Sequence, residues 1–319
     1  MTTIYRPLIS LLILGFLGAG ASGASPEISV REDEQRLELR AGDAPVLTYH
    51  KATVQPPAGA DAAFARSGFI HPLHAPSGAV VTGIHPDDHI HHLGLWHAWV
   101  NSKHGTDEPD FWNLKEKTGA VRFSRTLALA EAGFEVEQEH VKFVDGANPV
   151  VVLREVFSVS AEVVDGAYVI DYGMEQTNVT GEALELPAYR YGGGIAFRGP
   201  AGWDAGNSGY LTSEGKVRED SHATRANWCA MWGAVGDGGD GGDATVAILC
   251  HPENRDAPQR VRTWPEGKVF FNYVPVQESG WEIGPGETVT LRYRLVVGDG
   301  KPDAGELDAR WSAYAGEGG

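Results

Sequence analysis

Long apolar runs are missing from these 319 residues. The longest, Pro7 to Leu17, has 11, and a spanning helix takes about 20. Positive charge is also scarce: 26 Lys and Arg against 43 Asp and Glu give a net charge of −17. So acidic a chain is repelled by phosphate backbones, and nucleic acid is not an expected partner. Cysteine is nearly absent, with only Cys229 and Cys250. A disulfide and two small buried thiols both remain open, because sequence does not show whether their Cβ atoms meet. Convincing helical periodicity is rare, and no internal repeat or linker splits the chain. There is no P-loop, no dinucleotide fingerprint, no Gly-x-Ser-x-Gly elbow and no His-Glu-x-x-His.

The composition is that of a globular protein, 42% hydrophobic, 9% aromatic and 22% charged. It is too apolar for a disordered chain and too poor in charge for a coiled coil. The N-terminus has the form of a secretory leader: Arg6, the apolar run, then small residues from Gly18 to Ser25. Cleavage is expected after Ser22-Gly23-Ala24, with Ala19-Gly20-Ala21 the alternative and an uncleaved anchor the other reading. Residues 1–24 are then a signal peptide. Residues 25–319 are expected to be one β-sandwich domain, periplasmic or secreted and not integral to a membrane. No Cys follows the run to carry a lipid.

The dominant period is two. Val289, Leu291, Tyr293, Leu295 and Val297 share one parity, and Thr288, Thr290, Arg292 and Arg294 the other, as in a half-buried strand. Val121, Phe123, Leu127 and Leu129 repeat the pattern, broken by Arg125. Tyr168, Ile170, Tyr172 and Met174 repeat it again. Val150 to Ser160 is nearly continuously β-branched, as for a strand covered on both faces. Turn signals at Asp145-Gly146, Asp165-Gly166, Gly284-Pro285-Gly286 and Asp299-Gly300 separate these runs. Asp303 to Tyr314 is expected to form a short helix and Asp61 to Phe64 one turn. The Gly/Asp run from Gly236 to Asp243 reads as a hairpin loop. Many strands with little helix predict an all-β fold, a large antiparallel β-sandwich.

Histidine stands out. Eight of the 12 lie between positions 71 and 104: His71, His74, His85, His89, His91, His92, His97 and His104. Imidazole exchanges protons near neutral pH and binds transition metals. If the run is extended, His89 and His91 share a face, His92 takes the other, and His71 or His97 completes a cluster. Three readings compete. One is acid–base chemistry with a carboxylate partner. Another is a divalent metal held by His89, His91 and His92, joined by Asp87, Asp88 or Asp110. The third is hydrogen bonding within a polar loop. Trp96, Trp99, Phe111 and Trp112 surround the cluster, as a sugar-binding platform would. Trp96 and Trp99 cannot share a strand face, so one belongs to the core.

Further candidates lie downstream. Arg190, between Tyr189 and Tyr191, is placed to orient a carboxylate or hydroxyl group. His251 and Asn254 follow a strand end, where functional residues concentrate. Glu278 is a candidate carboxylate. Asn178-Val179-Thr180 fits a glycosylation acceptor.

Taken in order, His71-Pro-Leu, Pro76-Ser-Gly, Val81-Thr, His89-x-His-His-x-Gly-Leu-Trp, Asp110-Phe-Trp, Tyr191-Gly-Gly and His251-Pro-x-Asn resemble the bacterial family labelled methane oxygenase PmoA. The resemblance runs from about residue 28 to 300. Leu93 and Gly83 stand where that pattern carries Arg. Methane oxidation itself is not expected, since that activity belongs to a multi-span membrane protein. Trp281 to Tyr293 also resembles the end of galactose-mutarotase-like supersandwich proteins, where a His/Glu pair works on a sugar. The resemblances imply a carbohydrate-active enzyme acting on a sugar or glycoside by epimerisation, elimination or hydrolysis. His89, His91 and His92 would form its centre, with His71 and His251 beside them. Asp110 or Glu278 would be the acidic partner, with Arg190, Trp96, Trp112 and Asn254 holding substrate. A metal-dependent enzyme and a non-catalytic carbohydrate-binding protein are the alternatives.

Overall fold

The computed structural model describes residues 25–144, 146–236 and 241–317. The expected leader, Asp145 and the centre of the Gly/Asp run lie outside the described residues. In chain order the strands begin with β1 (Ile28–Glu32), β2 (Arg36–Ala41), β3 (Ala44–His50), β4 (Phe69–Leu73), β5 (Leu95–Trp96) and β6 (Lys103–His104). Next come β7 (Gly119–Ala130), β8 (Gly133–Lys142), β9 (Val150–Val164), β10 (Ala167–Asn178), β11 (Leu184–Leu186), β12 (Ala196–Arg198) and β13 (Ser208–Thr212). The last are β14 (Trp228–Ala234), β15 (Asp243–Cys250), β16 (Arg260–Thr263), β17 (Phe270–Val274), β18 (Trp281–Ile283) and β19 (Thr288–Asp299). One 3-10 turn, Ala62–Phe64, and one helix, α1 (Ala304–Gly316), complete the regular structure.

Two eight-stranded sheets form the sandwich. One has the order β1-β2-β3-β4-β5-β12-β17-β16 and the other β13-β14-β15-β19-β10-β9-β8-β7. A three-stranded sheet, β18-β11-β6, lies beside them. Every strand pairing is antiparallel. The large antiparallel β-sandwich is therefore the fold. The hairpin between β9 and β10 shows how sequence sets register. Asp165 and Gly166 both take positive φ, 52° and 80°, the geometry of a primed two-residue turn that matches strand twist.

In β19, Val289, Leu291, Tyr293, Leu295 and Val297 are buried, as their parity predicts. β10 buries Tyr168, Ile170, Tyr172 and Met174. Two expectations change. β9 is covered on one face only: Leu153, Glu155, Phe157 and Val159 are buried, while Arg154 and Ser160 are exposed. In β7, Leu127 and Leu129 are exposed, because register shifts at Phe123/Arg125 and Thr126/Ala128 turn the strand. α1 is capped by Asp303, whose carboxylate accepts from Glu306 N at 2.8 Å. It packs Leu307 and Tyr314 on Trp228, Ala230, Leu249 and Val296 of the second sheet. Cys229 and Cys250 are buried free thiols, and burial pushes Cys250 up to about 11. Asn178 is also buried. Its amide donates to the carbonyls of Glu182 and Ile283, so it is no surface acceptor for glycan.

The first sheet has two distinct faces at its centre. Directly paired residues share a face. Leu95, Phe197, Phe271 and Tyr273 face the second sheet, where Tyr273 stacks on Tyr293 at 5.6 Å. Trp96, Ala196, Arg198, Phe270, Asn272 and Arg262 take the outer face. That face carries the histidine run.

Candidate functional site

Residues 84–93 leave the sheet as a loop closed by an Ile84–Leu93 bridge. Inside it the chain turns: His89 N donates to Pro86 O at 3.1 Å and His92 N to His89 O at 2.9 Å. The run is a loop, and because it is turned and not extended, His92 does not take the opposite face from His89 and His91. All three rings converge on one place. Centroids lie 5.7 Å apart for His89 and His91, 4.9 Å for His89 and His92, and 4.8 Å for His91 and His92.

Aromatic rings support the cluster. His92 stacks on Phe270 at 4.7 Å and rests against Trp96 at 5.0 Å. Half-buried Trp264 meets His89 at 4.7 Å and Phe270 at 4.9 Å. Trp96 in turn packs on Trp112 at 5.1 Å. Both Trp96 and Trp112 are fully buried, so they are the floor beneath the site and offer no face to a sugar, contrary to expectation. Trp99 points the other way, its Nε1 donating to Gln176 at 2.8 Å inside the sandwich.

Arg198 anchors the loop from below. Its buried guanidinium donates to both oxygens of Asp88 at 2.7 and 3.0 Å, lies 5.0 Å from the Trp264 ring, and reaches His92 Nδ1 at 3.4 Å. Arginine only donates, so Nδ1 accepts and His92 carries its proton on Nε2. Burial raises Asp88, but the Arg198 hydrogen bond and charge outweigh it and hold the carboxyl below its usual range. Asp88 Oδ2 also lies 3.4 Å from His89 Nδ1.

Burial, then the charges of His89, Arg66 and Arg198, push His91 down to about 4. Burial and the neighbouring His91 and Arg198 push His92 well below its ordinary value. Both rings are neutral at pH 7. No described residue hydrogen-bonds to the His91 ring.

The remaining candidates divide. His71 sits one strand away on β4, its Nδ1 2.9 Å from Thr82 Oγ1. Burial, with the charges of His50, His74 and His85, pushes it down to about 4, and it makes no ring contact with the cluster. Asp110 is not a free acid. Its carboxylate accepts from Trp112 N, Asn113 N and Asn113 Nδ2 at 2.9, 2.9 and 2.6 Å. It fixes Asn113, whose Oδ1 accepts from Tyr191 OH at 3.1 Å. His251 and Asn254 lie elsewhere: His251 packs on Tyr314 of α1 at 5.0 Å, and Asn254 brackets the backbone of Arg292 at 2.7 Å. Glu278 is exposed and bonded to Arg225 and Arg260, which hold its carboxyl low. It is an ion-pair residue, not an acid. Arg190 is exposed beside Tyr189 and Tyr191. A cavity of about 610 Å³ opens nearby, lined by Asp110, Asn113, Tyr189, Lys103 and Lys142 among others.

Three residues of the site escaped sequence reasoning: Arg198, Arg262 and Trp264. The signal was present in the strands. Arg198 and Arg262 put charge on positions whose neighbours, Phe197 and Val261, are core.

A metal among His89, His91 and His92 finds no support in the donor set. Among the described residues, one group of three has its ligand atoms within 4.8 Å of one another, and it is His97, His140 and Glu155. That group lies between the sheets. Glu155 accepts from His97 Nε2, His140 Nε2 and Gln176 Nε2 at 2.6, 2.9 and 2.7 Å. His97 thus belongs to a separate interior network. Arg66, buried close by, donates to His97 O at 3.1 Å and balances the carboxylate's charge. A divalent cation would add two uncompensated charges to a dry interior.

Gly83 leaves no space for a side chain, a Cβ there falling 2.7 Å from Gly199 O. Leu93 is fully buried. Neither position can take the arginine of the resembled pattern without rearrangement.

A family described as "Family of unknown function (DUF6807)" matches residues 36–312. The chain belongs to the DUF6807 family. No curated protein matches this DUF6807 member. Heparan sulfate lyase HepC from Pedobacter heparinus is a similar solved structure, at 9% identity and a TM-score of 0.40, covering 89% of this chain and 38% of that one. A galactose mutarotase-like protein from Lactobacillus casei ATCC 334 is similar at 10% identity and a TM-score of 0.37, with 85% and 99% covered. GH36 alpha-galactosidase AgaA from Geobacillus stearothermophilus is similar at 11% and 0.37, with 86% and 41% covered. The chain therefore spans about two fifths of the lyase and of the galactosidase. No helix among the described residues is long and apolar enough to cross a membrane.

Proposed function

We propose that this protein is an exported enzyme that moves protons on a sugar or glycoside, by epimerisation, elimination or hydrolysis, with His91 as the base. One observation carries the reading. His91 is neutral at pH 7, free of hydrogen bonds to described residues, and grouped with two more imidazoles beside the half-buried indole of Trp264. A neutral imidazole with an open nitrogen can take a proton, and its acidic conjugate readily returns it. His89 stands beside His91, with its own Nδ1 3.4 Å from the Asp88 carboxylate. His92, its tautomer fixed by Arg198, presents Nε2–H as a donor. Half-buried Trp264 supplies a flat apolar face next to polar groups, the surface a pyranose ring stacks on. This reading sets aside methane oxidation, the name of the family that the motifs resemble.

The test is a panel of neutral and acidic glycosides followed by NMR in deuterated water. Proton exchange or product formation that is lost in His91→Ala, with sugar binding kept, supports the role. Turnover that survives His91→Ala overturns it.

A further inference from the structure

Part-buried arginines elsewhere in this chain have partners. Arg198 bonds Asp88, Arg294 bonds Asp171 and Glu317, and Arg225 and Arg260 share Glu278. Half-buried Arg262 breaks that pattern, and exposed Arg190 shares its aromatic platform. Neither guanidinium makes a hydrogen bond or ion pair with any described residue, in a protein with 43 acidic residues against 26 basic.

The two unpaired guanidinium groups share one ring. Arg262 Cζ lies 5.3 Å and Arg190 Cζ 5.7 Å from the Tyr191 centroid, and Arg190 is 6.0 Å from Tyr189. The tyrosine rings are 5.0 Å apart. This platform is held from behind, Tyr191 OH bonding to Asn113 and Asn113 to Asp110. Arg262 stands on β16 opposite Asn272, on the same sheet face as Arg198, Phe270 and Trp96. That face leads directly to His92.

Two cations on one aromatic platform repel each other. Burial and the Arg190 charge push the Arg262 pKa down. The cost is recovered when an anion arrives between them, and guanidinium forks match planar oxyanions.

We infer that Arg190 and Arg262 form an anion-binding subsite of the histidine site, and that its substrate is an acidic sugar: a uronate, or a sugar bearing an ester sulfate or phosphate. The inference rests on the sugar-handling reading and names its substrate class. It also gives His91 more purpose, because a negative charge bound nearby raises the basicity of an imidazole.

The experiment is isothermal titration of the mature protein with methyl glucuronide, methyl glucoside, glucose 6-sulfate and glucose 6-phosphate. At least one acidic sugar binds about tenfold or more tightly than methyl glucoside, since charged hydrogen bonds are worth about that factor. The preferred probe identifies which oxyanion is read. Arg190→Gln and Arg262→Gln each remove most of that preference, and added salt weakens it. Neither guanidinium has an ion pair or hydrogen bond to lose, only its contact with the tyrosine rings, so both variants are compared with wild type at temperatures where circular dichroism shows them folded. Equal affinity for acidic and neutral sugars overturns the inference, as does no binding of any acidic probe. A preference unchanged in the double variant overturns it too. His91→Ala separates the two readings. An arginine-dependent acidic preference without His91-dependent turnover keeps the subsite and removes the catalytic role. Turnover of neutral sugars alone does the reverse.

Discussion

Glu155 and His97 meet at 2.6 Å midway between the two sheets, both almost completely buried. Glu155 lies in register with Gln138 on one neighbouring strand and Gln176 on the other, so a polar row crosses the inner face of the sheet. His97 Nε2–H donates to the carboxylate, and the Tyr172 hydroxyl lies 2.6 Å from Nδ1. Trp99 and Gln176 extend the network, and Arg66 supplies the balancing charge. His97 follows Trp96 directly, so this network fixes the chain on which the floor of the site rests.

Glu155→Gln should therefore destabilise the fold severely. The new amide would turn N–H groups toward donors and leave Arg66 as a buried charge without its counterion. The expected loss is about 3 kcal/mol or more, the cost of breaking a buried pair. Urea unfolding measures it. A wild-type midpoint in the variant would show that Glu155 does not anchor the sandwich.

Acid should unfold the protein from an unusually high pH. An unfolded imidazole takes its proton near pH 6.5, whereas His71 and His91 hold theirs off until about 4. Between those values the unfolded chain binds more protons, so stability falls as pH falls. Each ring contributes up to about 3 kcal/mol across that window. His92 and His140, also held low mainly by burial, act in the same direction. The carboxyls of Asp88 and Glu155, held low against their own burial by Arg198 and by the His97 and His140 contacts, add losses only below the usual carboxylate range. Melting temperature measured from roughly pH 7.5 to roughly pH 4 should drop steadily below about pH 6.5. His71→Asn should flatten that slope. A melting temperature that holds constant down to about pH 5 would contradict the buried neutral rings.

Period-two patterning made the strands legible, because each long strand buries one face and its apolar residues keep one parity, as β19 and β10 do. The inward and outward faces of residues 288–295 are read correctly in this way. The density of histidine marked the site, but not its membership. His97 and His91 are six residues apart, yet one faces the interior and the other the outer face. A chain reversal between Pro86 and His92 decides this, and it leaves no period to read. Asp110, Glu278 and Asn254 looked like chemistry because they are polar residues in loops. Turn geometry and ion pairs use up their groups, and such pairings come from tertiary contact. Arg198, Arg262 and Trp264 were hidden for the opposite reason. They lie in or beside short strands whose outer face is roofed by a loop, so charge appears where alternation alone would predict exposure.

Arg198→Met should keep the volume and remove the charge. Asp88 then loses both hydrogen bonds, His92 loses the donor that fixes its tautomer, and Trp264 loses its cation. A loss of about 2–3 kcal/mol is expected for one buried charge-assisted contact set. The His92 ring should titrate closer to neutrality, since one of the positive charges opposing its protonation is gone. Imidazole NMR titration reads this directly. An unchanged His92 titration would mean that the 3.4 Å approach of Arg198 has no electrostatic consequence.

Gly94 sets the base of the histidine loop, and its replacement should separate stability from site geometry. It sits at φ +65°, where an added Cβ would lie 2.3 Å from Ile70 O and 3.1 Å from His71 Cβ. Its N–H bonds Gly83 O, and its carbonyl accepts from Arg198 N. Gly94→Ala must therefore push the β4 backbone away or break the loop closure. A destabilisation of about 3 kcal/mol or more follows, from left-handed strain plus overpacking. Gly78 is the control. Its φ is +89°, but nothing lies within 4 Å of its Cβ position, so Gly78→Ala pays only the backbone term, about 1 kcal/mol. Sugar binding should survive Gly78→Ala and fall in Gly94→Ala, even at temperatures where both variants are folded. Equal losses in the two variants would mean that the loop base does not position the imidazoles.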